Sequence, residues 1–401
     1  MRSKVNRRTF LATSGLAASG LMFGLNQFAS ASKKMSPNDV INIGVVGTGD
    51  RGNGLIMVMK EIPQLKVMAC CDVLPFRLEK AMLSAEKGAK AYANYHDMLN
   101  DKNLDAILIA TPLHMHHQMA LDAMDADKHV YCEKTMAFTI DEALDLVKKT
   151  KNFNKIFQTG HQYHSSRLYY KIIEIVNEGH IGKVTGFDCQ WNRNGNWRRE
   201  VPDPKLERMI NWRMYKEYSG GLLAELSSHQ IDFVNWVTKS TPISVVGSGG
   251  IDYWKDGRET NDNVRVVFDY PDGIKASFTC LTSNAHEGYQ IKVLGDKATI
   301  KIGPNSAKIY PENSLKKEMG LVDGVSGATA GWMDESGAIP VKVDHADPSK
   351  QALEDFAEAI INNTEPISNV RTGANASIAV FMGNKTIETR EIQHWKSEYN
   401  I

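Results

Sequence analysis

The chain has 401 residues, of which 42% are hydrophobic, and its 47 basic side chains are balanced by 47 acidic ones. This length suggests two or three domains, and the composition is that of an ordinary globular protein. A zero formal charge gives no electrostatic reason to bind nucleic acid or an anionic membrane, so we expect the partner to be a small polar molecule.

Residues 1–31 have the pattern of a bacterial export signal. Paired arginines within Asn6–Leu11 precede an uncharged apolar stretch, Leu11–Phe28, and Ala29–Ala31 forms a small-residue cleavage site. The stretch is too weakly hydrophobic for stable insertion in a membrane. An arginine pair followed by Phe and Leu favours the twin-arginine route, which exports folded proteins, over the general secretory route. We therefore expect the twin-arginine (Tat) export machinery as a partner and the periplasm as the location.

Residues 38–162 alternate between short apolar runs and amphipathic segments. The predicted strands are Ile41–Gly47, Leu65–Asp72, Leu104–Thr111, His129–Glu133 and Ile156–Gly160. The predicted helices between them include Pro75–Lys87, His116–Asp127 and Thr139–Asn152. Because the strands are almost entirely apolar, we expect a parallel sheet covered by helices on both faces, an α/β domain.

Residues 163–401 are expected to form a second, α+β domain. Its predicted strands are Lys183–Asn192, Asn263–Tyr270, Gly273–Leu281, Gly288–Gly295 and Ala298–Ile302. Their period-2 alternation and the turns at Pro271–Gly273 and Gly295–Lys297 indicate antiparallel hairpins. The predicted helices are Leu222–Val237, Ser349–Asn362 and Gly373–Gln393, and we expect the last two to pack back on the first domain. Residues 303–348 are predicted to be a long polar loop region.

The five cysteines are Cys70, Cys71, Cys132, Cys189 and Cys280. They lie in apolar, strand-like runs without C-x-x-C spacing, where cysteine acts as a small hydrophobic residue. The adjacent Cys70 and Cys71 should point to opposite faces of a strand. We therefore expect no disulfide framework.

A G-x-G-x-x-G motif follows the first predicted strand and precedes a helix, formed by Gly47, Thr48, Gly49, Asp50, Arg51 and Gly52. In a dinucleotide-binding loop the first glycine permits the tight turn, the second lets the backbone approach a pyrophosphate, and the third lets helix and strand pack closely. The phosphates would bind at the positive end of the helix.

Asp72 ends the next strand, 20 positions beyond Gly52, where an acid binds the adenosine ribose hydroxyls. Its carboxylate would repel a 2′-phosphate, so the predicted cofactor is NAD rather than NADP. The nearby Arg77, and Arg51 of the glycine motif, weaken that preference.

Three histidines, His114, His116 and His117, follow the strand that ends at Thr111. A metal site would need an acid or a cysteine as well, so we favour contact with the dinucleotide or helix capping and predict no metal.

Glu133 and Lys134 come at the carboxyl end of a buried strand, the edge at which open α/β sheets bind ligands. Desolvation and a cationic nicotinamide would both lower the pKa of this lysine toward that of a general base. A surface lysine that caps the strand is the alternative, and the local sequence leaves both open.

Taken together, the motifs G-x-G-x-x-G, T-P-x-x-x-H, H-V-x-C-E-K and G-G-L-L-x-E-x-x-x-H-x-I-D resemble the Gfo/Idh/MocA family, named for glucose–fructose oxidoreductase and inositol dehydrogenase. The resemblance implies a Rossmann domain followed by an α+β domain with a large open, mostly antiparallel sheet that often mediates homo-oligomers. It also implies that Lys134 is the catalytic lysine and that Glu133 lies near the nicotinamide ribose. Thr111, Pro112 and His116 would line the cofactor cleft.

The family's second catalytic element is an Asp and a His four residues apart, and Glu225 and His229 occupy these positions. On a helix they would share one face. Either His229 or Lys134 could take the proton of a substrate hydroxyl while the other orients it. Two departures from the family pattern are Thr135 in place of the usual Pro and Glu225 in place of Asp.

The segment after the last predicted strand of the first domain should point into the same cleft. There Gln162 is predicted to contact the cofactor. The residues predicted to face a sugar, together with the neighbouring Arg193 and Asn194, are His161, Tyr163, Trp197, Arg198, Trp212 and Arg213. Packing in a core or an interface is the alternative for the tryptophans.

These residues predict an NAD-dependent oxidoreductase that acts on a secondary hydroxyl of a sugar or glycoside and keeps its cofactor bound, since free NAD is not expected in the periplasm. The first alternative is a glycosidase that oxidises the sugar transiently, eliminates the aglycone, adds water and reduces the sugar again. The second is a non-catalytic module that binds sugar or nucleotide.

Overall fold

The computed structural model describes residues 39–312, 338–343 and 347–401. The predicted export signal at residues 1–31 lies outside these ranges, as do residues 313–337 and 344–346 of the predicted polar loop. Within the described ranges, every helix is too short or too polar to span a membrane.

The first domain contains a fully parallel six-stranded sheet in the order β3-β2-β1-β4-β5-β6. The strands are β1 (Ile41–Val46), β2 (Leu65–Cys71), β3 (Lys90–Tyr92), β4 (Ala106–Ile109), β5 (His129–Cys132) and β6 (Phe157–Thr159). The helices are α1 (Asp50–Met59), α2 (Pro75–Met82), α3 (Tyr95–Leu99), α4 (His116–Asp125) and α5 (Ile140–Thr150). The predicted parallel sheet is confirmed, whereas the short β3 and α3 were not predicted.

Two apolar cores cover the faces of this sheet. Cys70 packs in the core that contains Leu55 and Ile56 of α1, and its neighbour Cys71 packs in the other. All five cysteines are buried and free. The prediction that Cys70 and Cys71 point to opposite faces is therefore confirmed.

The second domain contains a nine-stranded sheet in the order β14-β13-β12-β11-β7-β10-β9-β8-β15. Its strands are β7 (Val184–Asn192), β8 (Ser244–Gly250), β9 (Asn263–Asp269), β10 (Lys275–Leu281), β11 (Tyr289–Gly295), β12 (Ala298–Ile302), β13 (Ala307–Pro311), β14 (Ile339–Val341) and β15 (Gln393–His394). Its helices are α6 (Arg167–Asn177), α7 (Glu207–Ile210) and α8 (Ser228–Thr238). Every pair of neighbouring strands is antiparallel except β7 and β10, so the predicted mostly antiparallel sheet is confirmed.

Part of the predicted polar loop is β-structure, so that prediction was wrong for β13 and β14. In β13, Ala307 and Ile309 are buried on one face, a period-2 pattern too short to stand out from its polar surroundings. These two strands extend the sheet beyond β12.

The last two helices return to the first domain. The first of them, α9 (Pro348–Asn362), packs on α1, and α10 (Val370–Thr389) packs on both α5 and α8. The prediction of a helix up to Gln393 was wrong at its end, because Arg390 has a left-handed backbone with φ 62° and the chain then forms β15 beside β8. Through α10, the chain's C-terminal part contacts the elements that position the site.

Candidate active site

A cavity of about 1150 Å³ lies at the carboxyl ends of β1, β2, β4 and β5 and reaches the second domain. Most of the predicted cofactor-binding residues line it, namely Gly47, Gly49, Arg51, Asp72, Thr111, Pro112, His116, Glu133, Lys134 and Gln162. The second domain adds the predicted residues Trp197, Trp212, Arg213, Glu225 and His229. The structure thus brings the two groups of predicted residues to one cavity.

The loop between β1 and α1 has room only for glycine at two positions. Gly47 has φ 83°, and a Cβ there would lie 2.7 Å from the carbonyl carbon of Ala110. A Cβ on Gly52 would lie 1.9 Å from the carbonyl oxygen of Gly47. Gly49 is the N-cap of α1, and none of the described side chains caps this helix. Free N–H groups at a helix N-terminus are suited to phosphate, so the loop fits a dinucleotide.

Asp72 is fixed at the end of β2 by three hydrogen bonds. Thr48 donates its backbone N–H and its hydroxyl to Oδ2 at 2.8 and 3.2 Å, and the N–H of Leu74 donates to Oδ1 at 2.9 Å. Each carboxylate oxygen has further acceptor capacity for a ribose hydroxyl. Thr48 does not line the cavity and instead orients Asp72.

Glu133 pairs with an arginine of the glycine loop. Arg51 Nε donates to Glu133 Oε1 at 2.8 Å, and Arg51 Nη1 donates to the hydroxyl of Ser349 at 3.1 Å. Ser349 comes from α9 and lies 298 positions from Arg51 in sequence, so sequence reasoning missed it. The contact ties the C-terminal helix to the cofactor loop.

Lys134 points from the end of β5 to the second domain. Its Nζ donates to the backbone carbonyls of Glu225 and Ala224, at 2.6 and 3.2 Å. Burial lowers the pKa of Lys134, while the carboxylates of Glu225 and Glu133 oppose that shift. Thr135, in place of the family's Pro, does not prevent Lys134 from reaching the cavity wall.

The carbonyls that receive Lys134 belong to a π-helical turn, Leu223–Ser227, which leads directly into α8. A regular α-helix was predicted here, so that prediction was wrong over this turn. The hydroxyl of Ser228 also donates to the carbonyl of Ala224, at 2.7 Å. π-turns are frequent at functional sites. Despite the wider turn, Glu225 and His229 both line the cavity.

Glu225 is an ionised carboxylate between two cations. Its Oε2 accepts a hydrogen bond from Arg213 Nε at 2.7 Å. Burial acts to raise the pKa of Glu225, but Arg213 and Lys134 outweigh burial and the net pKa is lowered. The carboxylate therefore keeps its charge beside Lys134.

His229 is a buried, neutral imidazole. Burial is the main cause that holds its pKa well below the ordinary 6.5, and the nearby Lys134 lowers it further. Its ring lies 5.0 Å from that of Tyr163, 5.9 Å from that of His161 and 6.0 Å from that of Trp191. No described residue forms a hydrogen bond with its Nδ1. A neutral histidine in the cavity wall can accept a proton.

Three residues predicted to face a sugar do not line the cavity. His161 and Tyr163 are buried beside His229, so they support its ring. Arg198 pairs instead with Glu207 and Asp256.

The three predicted histidines of the β4–α4 segment diverge. Both ring nitrogens of His116 lie near backbone carbonyls, 2.8 Å from that of Thr135 and 3.0 Å from that of Thr111. The ring of His114 lies 4.9 Å from that of Tyr218 in a tilted contact, and His117 pairs with Asp145. Among the described residues, no group of three or more His, Cys, Asp or Glu side chains is arranged to hold a metal ion.

Sequence reasoning missed Trp191, which lines the cavity from β7. A strand residue of this kind is hard to recognise from sequence, because the neighbouring strands decide which face of the sheet points to the cavity.

Trp197 was predicted, and its φ of 64° is rare for a bulky residue. Such a backbone costs about 1–3 kcal/mol and is concentrated at functional sites.

Comparison with known proteins identifies the family of the two domains. The model for the oxidoreductase family with an NAD-binding Rossmann fold (GFO/IDH/MocA) matches residues 41–161, and the GFO/IDH/MocA C-terminal domain matches residues 169–301. The described structure is similar to that of a levoglucosan dehydrogenase solved with NADH and levoglucosan, with a TM-score of 0.72 over 88% of this chain and 99% of that chain. The two are only 16% identical, so the structural similarity shows a shared fold and no more.

Curated relatives match about half of the chain. An inositol 2-dehydrogenase/D-chiro-inositol 3-dehydrogenase of Lactiplantibacillus plantarum is 26% identical over 51% of this chain and 54% of its own length. A glycosyl hydrolase family 109 protein of Shewanella pealeana is 26% identical over 53% of this chain and 51% of its own length. The chain thus spans little more than half the length of these relatives. Since the two family models together cover more than half of the sequence, the chain belongs to the Gfo/Idh/MocA family, with an NAD-binding Rossmann domain at residues 41–161.

Proposed function

We propose that this protein is an NAD-dependent oxidoreductase that acts on a secondary hydroxyl of a sugar or glycoside and keeps its cofactor tightly bound. The observation that carries the proposal is that Lys134, Glu225 and His229 meet in the wall of the cavity that also contains the glycine loop and Asp72. Relatives named as inositol and levoglucosan dehydrogenases support the substrate class.

The side chains of this wall can activate a hydroxyl. When bound, NAD supplies a hydride acceptor for the carbon that carries the hydroxyl. Lys134 has three N–H donors, of which two are directed at backbone carbonyls, so one is left for the substrate oxygen. His229 is neutral and accepts the hydroxyl proton. Lys134 stabilises the negative charge that develops on the oxygen, and Glu225 keeps the local charge balanced.

The second candidate is a glycosidase without net oxidation, and a relative named as a family 109 glycosyl hydrolase favours it. In that reaction the sugar is oxidised, loses its aglycone by elimination, gains water and is reduced again. The same Lys134 and His229 would serve it.

Parallel assays separate the candidates. The purified protein is incubated with free sugars and with nitrophenyl glycosides, with and without added NAD, while nicotinamide absorbance and nitrophenol are recorded. Net formation of NADH from a sugar supports the dehydrogenase. Nitrophenol release without net cofactor change supports the glycosidase. If Lys134→Ala leaves every activity and binding constant unchanged, the protein is a non-catalytic binding module.

We also propose export by the twin-arginine route to the periplasm, which rests on the pattern of Asn6–Leu11. A folded protein would carry its NAD with it. Replacement of both Arg7 and Arg8 by Lys should retain the full-length precursor in the cytoplasm, as cell fractionation would show. Export that survives this change would point to the general secretory route.

The family resemblance further supports a homo-oligomer. Light scattering on the purified protein tests it, and a monomer would contradict it.

A further inference from the structure

We propose that the substrate carries a carboxylate and that Arg193 binds it. The inference rests on the proposed function, since it specifies which sugars the oxidoreductase accepts. It assigns Arg193 as the residue that determines specificity.

Arg193 lies close to His229 in the cavity wall. It follows the end of β7 two positions after Trp191, and the ring of Trp191 lies 6.0 Å from that of His229. The guanidinium carbon of Arg193 lies 5.8 Å from the centre of the Trp191 ring and 5.3 Å from that of Trp197. Two aromatic rings therefore hold this cation at the cavity surface, near His229, the proposed acceptor of the hydroxyl proton.

The other arginines of this side of the cavity already have carboxylate partners. Arg199 pairs with Asp50 at 2.8 Å, and Arg213 pairs with Glu225 at 2.7 Å. In the part of the chain that the structure describes, no carboxylate lies within ion-pair distance of Arg193. Arg193 is exposed to solvent, and partial burial in the cavity still lowers the pKa of its guanidinium. An anionic ligand would supply the ion pair that the described residues do not provide.

The cavity as a whole has an excess of positive charge. Eight cationic side chains line it, Arg51, Arg77, Lys134, Arg193, Arg199, Lys205, Arg208 and Arg213, against four carboxylates, Asp50, Asp72, Glu133 and Glu225. Arg77 lies against Gly49 of the cofactor loop, where a pyrophosphate accounts for its charge. Arg208 pairs with Glu217 and Glu259, two carboxylates that do not line the cavity, so its charge is also compensated. Arg193 has no such partner among the described residues, and its charge would attract an anion.

A carboxylate is the anion that fits best. A guanidinium is planar and presents two parallel N–H donors that match the two oxygens of a carboxylate. The flat faces of Trp191 and Trp197 next to it suit the apolar face of a sugar ring. A sugar acid presents both features in one molecule.

Calorimetric titration of the nucleotide-loaded protein tests the inference. The probes are D-glucuronate and D-galacturonate, with D-glucose and D-galactose as their neutral counterparts. We expect at least one uronate to bind about tenfold or more tightly than its neutral counterpart, with a preference that weakens at high salt. Arg193→Gln should abolish the preference, and Arg193→Lys should keep part of it.

Arg167→Gln is the matched control. Arg167 also lies over an aromatic ring, 5.8 Å from the centre of Tyr170, but outside the cavity, and its loss should leave the preference unchanged. A loaded wild-type protein that binds neither uronate, or binds the hexoses equally well, overturns the inference alone. So does a preference that survives Arg193→Gln. A protein that neither contains nor binds NAD would instead overturn the proposed function.

Discussion

The ammonium nitrogen of Lys134 lies 2.6 Å from the backbone carbonyl oxygen of Glu225, and the carboxylate of the same Glu225 binds Arg213. One residue thus positions Lys134, the proposed catalytic lysine, through its backbone and balances two cations through its side chain. This relationship joins the first domain to the second in the wall of the cavity.

Glu225→Gln removes the balancing charge and leaves the backbone contact. We expect kcat/KM to fall about ten- to a hundredfold, because a charged hydrogen bond of about 1.5–3 kcal/mol is lost and the pKa of Lys134 falls further. Glu225→Asp keeps the charge and should retain most of the activity. Steady-state kinetics checks both, and equal losses in the two variants would contradict the electrostatic role.

The pH profile should report an unusually acidic histidine. His229 must be unprotonated to act as a base, and its pKa is held well below 6.5. We expect kcat/KM to remain constant as the pH falls through 6.5 and to decline only below it. Lys134→Gln removes a charge that lowers the pKa of His229, so the acidic limb of the kcat/KM profile should move to higher pH. The variant should also be much less active at every pH. A wild-type limb centred near 6.5 would contradict this assignment.

Gly52→Ala should disrupt the cofactor loop. The new Cβ would meet the carbonyl oxygen of Gly47 at 1.9 Å, so we expect the free energy of unfolding to fall by about 1–3 kcal/mol and NAD to be lost. Gly54 lies on the same helix with no atom within 4 Å of its position for a Cβ. Gly54→Ala should raise stability by about 0.5–1 kcal/mol. Denaturant unfolding of both variants provides the comparison.

Asp72→Ser should shift cofactor preference. The change removes the charge that repels a 2′-phosphate, and it also removes an acceptor from the N–H groups of Thr48 and Leu74. We expect NAD to bind more weakly and the ratio of NADP to NAD affinity to rise about tenfold, or 1.4 kcal/mol. An unchanged ratio in fluorescence titrations would show that Asp72 does not set the preference.

The first domain could be predicted well because its buried strands are continuous apolar runs. β1 and β5 were placed within a residue of their observed ends. The glycine loop and Asp72 could also be predicted as one cofactor-binding site, because their spacing along the chain is that of a dinucleotide-binding motif.

Other features depend on contacts between distant residues. The π-turn at Leu223–Ser227 differs from an α-helix by less than the hydrophobic pattern can resolve. The contact of Arg51 with Ser349 joins opposite ends of the chain. The face that Trp191 presents depends on β7 lying between β11 and β10. None of these follows from a local motif.

Whether the protein carries a tightly bound NAD can be measured from the nucleotide that the purified protein releases. The protein is denatured, and the supernatant is analysed by mass spectrometry against the protein concentration. We expect about one NAD or NADH per chain, and the same content in Lys134→Ala. An empty protein that also fails to bind added NAD would contradict it.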